Sequence, residues 1–130
     1  MKKNTGLILV VEDDVDIGEL MKIFLEADGF RVTVAADGLD AFHQLRSGER
    51  PALILLDMMM PGMDGEQFLK EIRASGFDKT PVVIISGHSA AKHKADELGA
   101  DSCLMKPFEL EDLLSTVRRF AVAPPKRDAA

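Results

Sequence analysis

Leu53-Ile54-Leu55-Leu56-Asp57 decides how this chain is read. Four apolar residues in a row, stopped by a carboxylate, do not alternate as a half-exposed strand would. A short continuous run of this kind suits a strand covered on both faces, as in a parallel sheet. The acid that ends it then falls at the carboxyl edge of that sheet.

Working outward, four more apolar runs have similar length. They are Leu7-Ile8-Leu9-Val10-Val11, Arg31-Val32-Thr33-Val34-Ala35, Val82-Val83-Ile84-Ile85 and Ser102-Cys103-Leu104-Met105. The second alternates at Val32-Thr33-Val34, which places it nearer an edge of the sheet.

Amphipathic stretches separate the runs. Ile17, Leu20, Met21, Phe24 and Leu25 fall at helical spacing and stop at Gly29. Ala41, Phe42 and Leu45 form a shorter stripe before Gly48, and Phe68, Leu69 and Ile72 another before Gly76. Residues 90–98 make a weak, alanine-rich stripe before Gly99. Leu110, Leu113, Leu114, Val117 and Phe120 make the last. Strict strand–helix alternation predicts an α/β fold, a doubly wound parallel sheet with helices on both faces. One domain over residues 6–121 is expected, with a flexible Pro-containing tail over 122–130.

The 130 residues suffice for a core without disulfides or structural metal. A hydrophobic share of 46% and a charged share of 29% describe a soluble globular chain. The net charge of −6 speaks against direct nucleic-acid binding, which needs a basic surface to displace counterions. The single cysteine, Cys103, forms no internal disulfide, and no signal peptide or membrane span is visible. A cytoplasmic location follows as the expectation.

In doubly wound sheets, ligands bind beyond the carboxyl ends of the strands. There the sequence places Glu12-Asp13-Asp14, Asp57, Ser86-Gly87-His88 and Lys106-Pro107. Clustered carboxylates repel one another unless a cation joins them, and an all-oxygen donor set suits Mg²⁺. A lysine and a hydroxyl opposite the acids complete a set of groups for phosphoryl transfer. Taken singly, each has a plainer reading: Asp14 as the N-cap of the helix opening near Val15, Asp57 and Ser86 as turn residues, Lys106 as a solvated charge. The joint pattern at four strand ends is what turn chemistry does not explain.

Val10-Val11-Glu12-Asp13, Leu56-Asp57 through Gly65, Ile85-Ser86-Gly87 and Met105-Lys106-Pro107-Phe108 resemble, in order and spacing, the motifs of response-regulator receiver domains of two-component signalling. The resemblance implies a flavodoxin-like (βα)5 fold of strand order 2-1-3-4-5, an order that flavodoxin and the chemotaxis receiver share. It implies Asp57 as the acceptor of a phosphoryl group from a histidine kinase, a phosphotransfer protein or a small donor. Asp13, Asp57 and the Met59 carbonyl would ligate Mg²⁺, with Glu12 acting through a bound water. Ser86 and Lys106 would hold the phosphoryl oxygens, and the bond before Pro107 would be cis. Such a domain is not an enzyme toward other substrates; it catalyses only its own phosphorylation and dephosphorylation.

The resemblance also implies an output face over about residues 90–121. With no effector domain following in this sequence, output is expected through a separate effector protein or a homodimer. A piece cut from a longer chain would look the same. The competing readings are a phosphorelay carrier that passes its phosphoryl group to a histidine, and a metal-dependent phosphatase. The phosphatase would want a carboxylate two residues beyond Asp57, where this chain has Met59.

Three positions depart from the family pattern or tune it. Cys103 stands where an aromatic switch residue is usual, so the ring that would report phosphorylation is absent and plain packing is expected there. Met59 and His88 flank the path of a hydrolytic water. Met59 would shield the acyl phosphate, and His88 would either orient water or cover the site.

Overall fold

The computed structural model describes residues 6–58, 65–77, 79–87, 97 and 99–121. The residue 90–98 stripe, Met59, Pro61, His88, His93 and the tail lie outside the described residues, apart from Glu97.

The described chain runs β1 (Leu7–Val11), α1 (Val15–Ala27), β2 (Arg31–Ala35), α2 (Gly38–Ser47), β3 (Leu53–Asp57), α3 (Gly65–Ala74), β4 (Val82–Ser86), β5 (Ser102–Met105) and α4 (Leu110–Ala121). All neighbouring strands are parallel, in the order β2-β1-β3-β4-β5, which is the flavodoxin-like order. The alternating strand is indeed at an edge.

Successive strand residues point to opposite faces, so each continuous apolar run feeds two cores. Ile8, Val10, Leu53, Leu55, Val83 and Ile85 pack under Met21 and Leu25 of α1 and Leu113 and Val117 of α4. Leu9, Val11, Ile54, Leu56 and Ile84 pack on the other face, under α2 and α3. Side chains such as Leu56 and Ile72 are fully buried, each worth roughly 1.5–3 kcal/mol.

The α1 stripe differs from its expected reading at one position. Leu20 is 52% exposed, while Gly18 is buried. A Cβ at Gly18 would lie 3.1 Å from Val34 Cγ1, so the glycine joins Met21 and Leu25 on the sheet-facing side of α1 and Leu20 turns outward. Gly29 and Gly76 end α1 and α3 at φ of 100° and 102°, left-handed values that glycine adopts without strain. Gly48 ends α2 differently, at φ −114°, in extended backbone. Among the described residues, no helix is long and apolar enough to cross a membrane.

At the amino edge of the sheet, Arg73 acts as a staple that the sequence did not announce. Its guanidinium donates to the carbonyls of Phe77 (2.7 Å), Thr80 (2.6 Å) and Gly99 (3.0 Å). Asp101 stands 3.6 Å away and accepts from the Val82 N–H at 2.8 Å. The starts of β4 and β5 are thereby tied to the end of α3.

Candidate functional site

Strand register sets the site. Val11 lies opposite Leu56, Asp57 opposite Ile85, and Ser86 opposite Met105. Glu12, Asp57, Ser86 and Lys106 therefore fall on one edge, at the end of four adjacent strands. Backbone ladder bonds continue through these residues: Glu12 N–H to Ala35 O (3.0 Å), Met58 N–H to Ile85 O (3.1 Å) and Lys106 N–H to Ser86 O (2.8 Å). Asp57 and Ser86 are themselves the last residues of their strands, so each strand runs one position beyond its apolar run. Both are buried, at 2% and 1% exposure.

The three acids converge. Glu12, Asp13 and Asp57 each offer a carboxylate oxygen, and these atoms lie within 4.8 Å of one another. Asp13 is exposed and Glu12 is buried, so one side of the cluster is open to water. Lys106 Nζ sits 3.4 Å from Asp57 Oδ2 and 3.5 Å from Glu12 Oε1. Glu12 Oε2 accepts the Asp14 N–H at 3.2 Å, while the buried Oε1 accepts no hydrogen bond among the described residues.

Glu12 is held well above the ordinary carboxylate range, from 4.5 up to about 7. Burial is the largest cause. The Asp57 carboxylate, with which only a protonated Glu12 can share a hydrogen, is the second. The Asp14 N–H and the Lys106 ammonium pull the other way. A buried carboxylate that favours its neutral form, next to two more acids, is an electrostatic strain that a divalent cation would relieve. The all-oxygen donor set, the close spacing and the buried Oε1, without a hydrogen bond among the described residues, all fit a hard cation such as Mg²⁺.

Of the described site residues expected from the sequence, Glu12, Asp13, Asp57, Ser86 and Lys106 are brought to this edge, whereas Cys103 lies farther back in β5. The Lys106–Pro107 bond is cis. Cys103 lies on the edge strand β5, opposite Ile84, and packs against the core layer under α2 and α3. Met59 and His88 lie outside the described residues. Two supporting features were not foreseen: the Asp14 backbone N–H on Glu12, and the close approach of α3 to Met58.

That approach depends on Gly65, the first residue of α3. A Cβ there would fall 2.6 Å from Met58 Sδ and 3.3 Å from Met58 Cα. The sulfur could swing aside, but the Cα is backbone next to Asp57. Glycine to alanine in a helix ordinarily gains up to about 1 kcal/mol; overpacking typically costs about 1–3 kcal/mol. The clash is expected to win, so Gly65→Ala should lower the urea midpoint, with a net loss of about 1 kcal/mol. An unchanged or higher midpoint would show that Met58 adapts freely.

Residues 8–118 match the family model described as response regulator receiver domain. The chain is 38% identical over 113 residues to the transcriptional regulatory protein CpxR homolog of Haemophilus influenzae, covering 85% of this chain and 48% of that protein. It is 35% identical over 125 residues to the response regulator MprA of Mycobacterium tuberculosis, covering 95% of this chain and 54% of the other. It thus spans about half the length of these relatives. The solved structure of the chemotaxis protein CheY4 of Vibrio cholerae superposes with a TM-score of 0.82 at 31% identity, covering 89% of this chain and 98% of that one. With the fold, the strand-end acids and these matches in agreement, the chain belongs to the family of receiver domains of two-component response regulators.

Proposed function

We propose that this receiver domain takes a phosphoryl group onto Asp57 from a phosphohistidine of a kinase or phosphotransfer protein, or from a small phosphodonor, and switches its surface for a partner. The observation that carries the reading is the convergence of Glu12, Asp13 and Asp57 within 4.8 Å, with Lys106 reaching two of them.

Each residue has a role. An Asp57 carboxylate oxygen attacks phosphorus, and the bond from phosphorus to the donor atom breaks: a phosphohistidine nitrogen leaves with the electron pair and takes up a proton, and from acetyl phosphate an oxygen leaves with the pair as acetate. Glu12, Asp13 and Asp57 would hold Mg²⁺, with the Met59 carbonyl, outside the described residues, as a further donor. When bound, the ion neutralises the acids and offsets charge on the phosphoryl oxygens. Lys106 already stands beside the acceptor and would move with the phosphoryl oxygens as an ion pair. Ser86, buried at the neighbouring strand end, would offer its hydroxyl to a phosphoryl oxygen. Hydrolysis later returns phosphate and the free carboxylate.

Phosphorylation adds charge and acceptor oxygens to this edge and biases a surface between two states. By this reading the surface includes β5 and α4. With Cys103, partly buried against the core layer, in place of a ring, the signal travels through the segment after Ser86 rather than through a swinging aromatic side chain. The domain acts in the cytoplasm, where its kinase donors are met.

The test is a titration with a phosphoryl mimic, beryllium trifluoride, followed by backbone amide NMR. With Mg²⁺, the amides of Glu12, Asp57, Ser86 and Lys106 should shift and saturate; without Mg²⁺ they should not. No shifts at these positions under either condition would refute the assignment.

A further inference from the structure

Phosphoryl transfer as proposed uses Glu12 and Asp13 but leaves the third acid of the run, Asp14, without a part. Its geometry is specific. Asp14 has extended backbone, φ −81° and ψ 111°, and is the N-cap of α1. Its Oδ1 accepts the N–H groups of Asp16 (3.0 Å) and Ile17 (3.1 Å), and its carbonyl accepts the Gly18 N–H (2.9 Å). These three bonds tie the residue to the first turn. Its own N–H points the other way, onto Glu12 Oε2 at 3.2 Å.

One residue therefore joins two tasks. The side chain anchors the helix end, and the backbone N–H aims the Glu12 carboxylate. That N–H belongs to the planar peptide shared with Asp13, so holding it also limits how the Asp13 Cα can turn. Glu12 is 3% exposed; Lys106 and Asp57 face its carboxylate from the site, and the Asp14 N–H holds its Oε2 from the chain side.

We infer that Asp14 is a positioning residue for the acidic pair: its cap on α1 holds the peptide that orients Glu12 and presents Asp13. The inference rests on the reading of these acids as cation-holding residues. A rival account gives Asp14 only a third negative charge in the field of the site. The two separate cleanly, because asparagine caps a helix about as well as aspartate but carries no charge.

The experiment uses the whole 130-residue chain and Mg²⁺ alone. Metal-free wild type, Asp14→Ala, Asp14→Asn and Asp37→Ala are titrated with Mg²⁺ and followed by amide NMR, with urea unfolding in chelator alongside. Asp37 is the control because it caps α2 with the same chemistry, its Oδ1 accepting the Asp40 N–H at 2.8 Å. Supporting groups of this kind are worth about tenfold or more in metal affinity. Asp14→Ala should bind Mg²⁺ about tenfold more weakly. Asp14→Asn should bind like wild type, and so should Asp37→Ala, although it loses stability comparable to that of Asp14→Ala.

Equal weakening in the alanine and asparagine variants would give the effect to charge and overturn the inference. So would an alanine variant that binds like wild type. If the alanine variant fails to fold, the asparagine variant still decides, since the charge account alone requires it to bind weakly. A wild type that binds no Mg²⁺ would instead remove the reading of the acidic cluster itself, and the inference with it.

Discussion

Without metal, Glu12→Gln should be more stable than the wild type at pH 8, by about 1–3 kcal/mol, and the difference should vanish below pH 4.5. The folded protein holds a proton on Glu12 up to about pH 7, whereas the unfolded chain releases it near 4.5. Between those values the folded state binds more protons. Stability from this group is therefore fully present below 4.5 and is lost as pH rises through about 7. The interval of about two and a half units, at about 1.4 kcal/mol per unit, sets a ceiling of about 3.5 kcal/mol.

Glutamine keeps the shape and removes the charge, so it should erase this slope. Asp28, whose carboxyl Arg118 holds below 3.8, stays ionised across the same window and adds no slope of its own. Saturating Mg²⁺ should reverse the order. It stabilises the form that binds it, and the wild type, with all three acids, should gain more than the variant. Chemical denaturation at several pH values, in chelator and then in Mg²⁺, reads both effects. A wild type whose metal-free stability is flat from pH 4.5 to 8 would mean that Glu12 is not strained.

Arg73→Ala should cost about 2–4 kcal/mol, the largest stability loss expected outside the apolar core. Three carbonyls, of Phe77, Thr80 and Gly99, share this one guanidinium. The side chain is only 19% exposed, so water replaces it poorly. Hydrogen bonds to a charged donor are worth about 1.5–3 kcal/mol each, but they are not additive when one group serves them all. Arg73→Lys should recover only part of the loss, because an ammonium cannot fan out as a planar fork does. Urea unfolding measures both variants. A loss under about 0.5 kcal/mol for alanine would show the staple to be an ordinary surface contact.

The contrast between Arg73 and Asp57 shows what could be read in advance. Asp57 interrupts an apolar run, and in a doubly wound sheet every such interruption lands on one edge. Periodicity and a topological rule were enough to bring Glu12, Ser86 and Lys106 beside it. The two cores were legible for the same reason, since continuous apolar runs demand cover on both faces. The strand order came with the family resemblance of the strand-end motifs. Arg73 carries no such mark. It lies on a helix among other charged residues, and its partners are carbonyls, which no side-chain pattern announces. The same holds for the Asp14 N–H on Glu12. The exposure of Leu20 was hidden because periodicity treats every apolar residue alike, whereas the sheet-facing side of α1 is made by Met21, Leu25 and the small Gly18. The raised proton affinity of Glu12 depends on depth of burial, which only the folded chain sets.

The central claim is that Asp57 accepts a phosphoryl group. Intact-mass spectrometry of the protein incubated with Mg²⁺ and acetyl phosphate tests it most directly. The wild type should gain the mass of one phosphoryl group, and Asp57→Asn should gain none. Repeated failure of the wild type to gain that mass, with small donors and with phosphorylated histidine kinases alike, or an equal gain by Asp57→Asn, would contradict it.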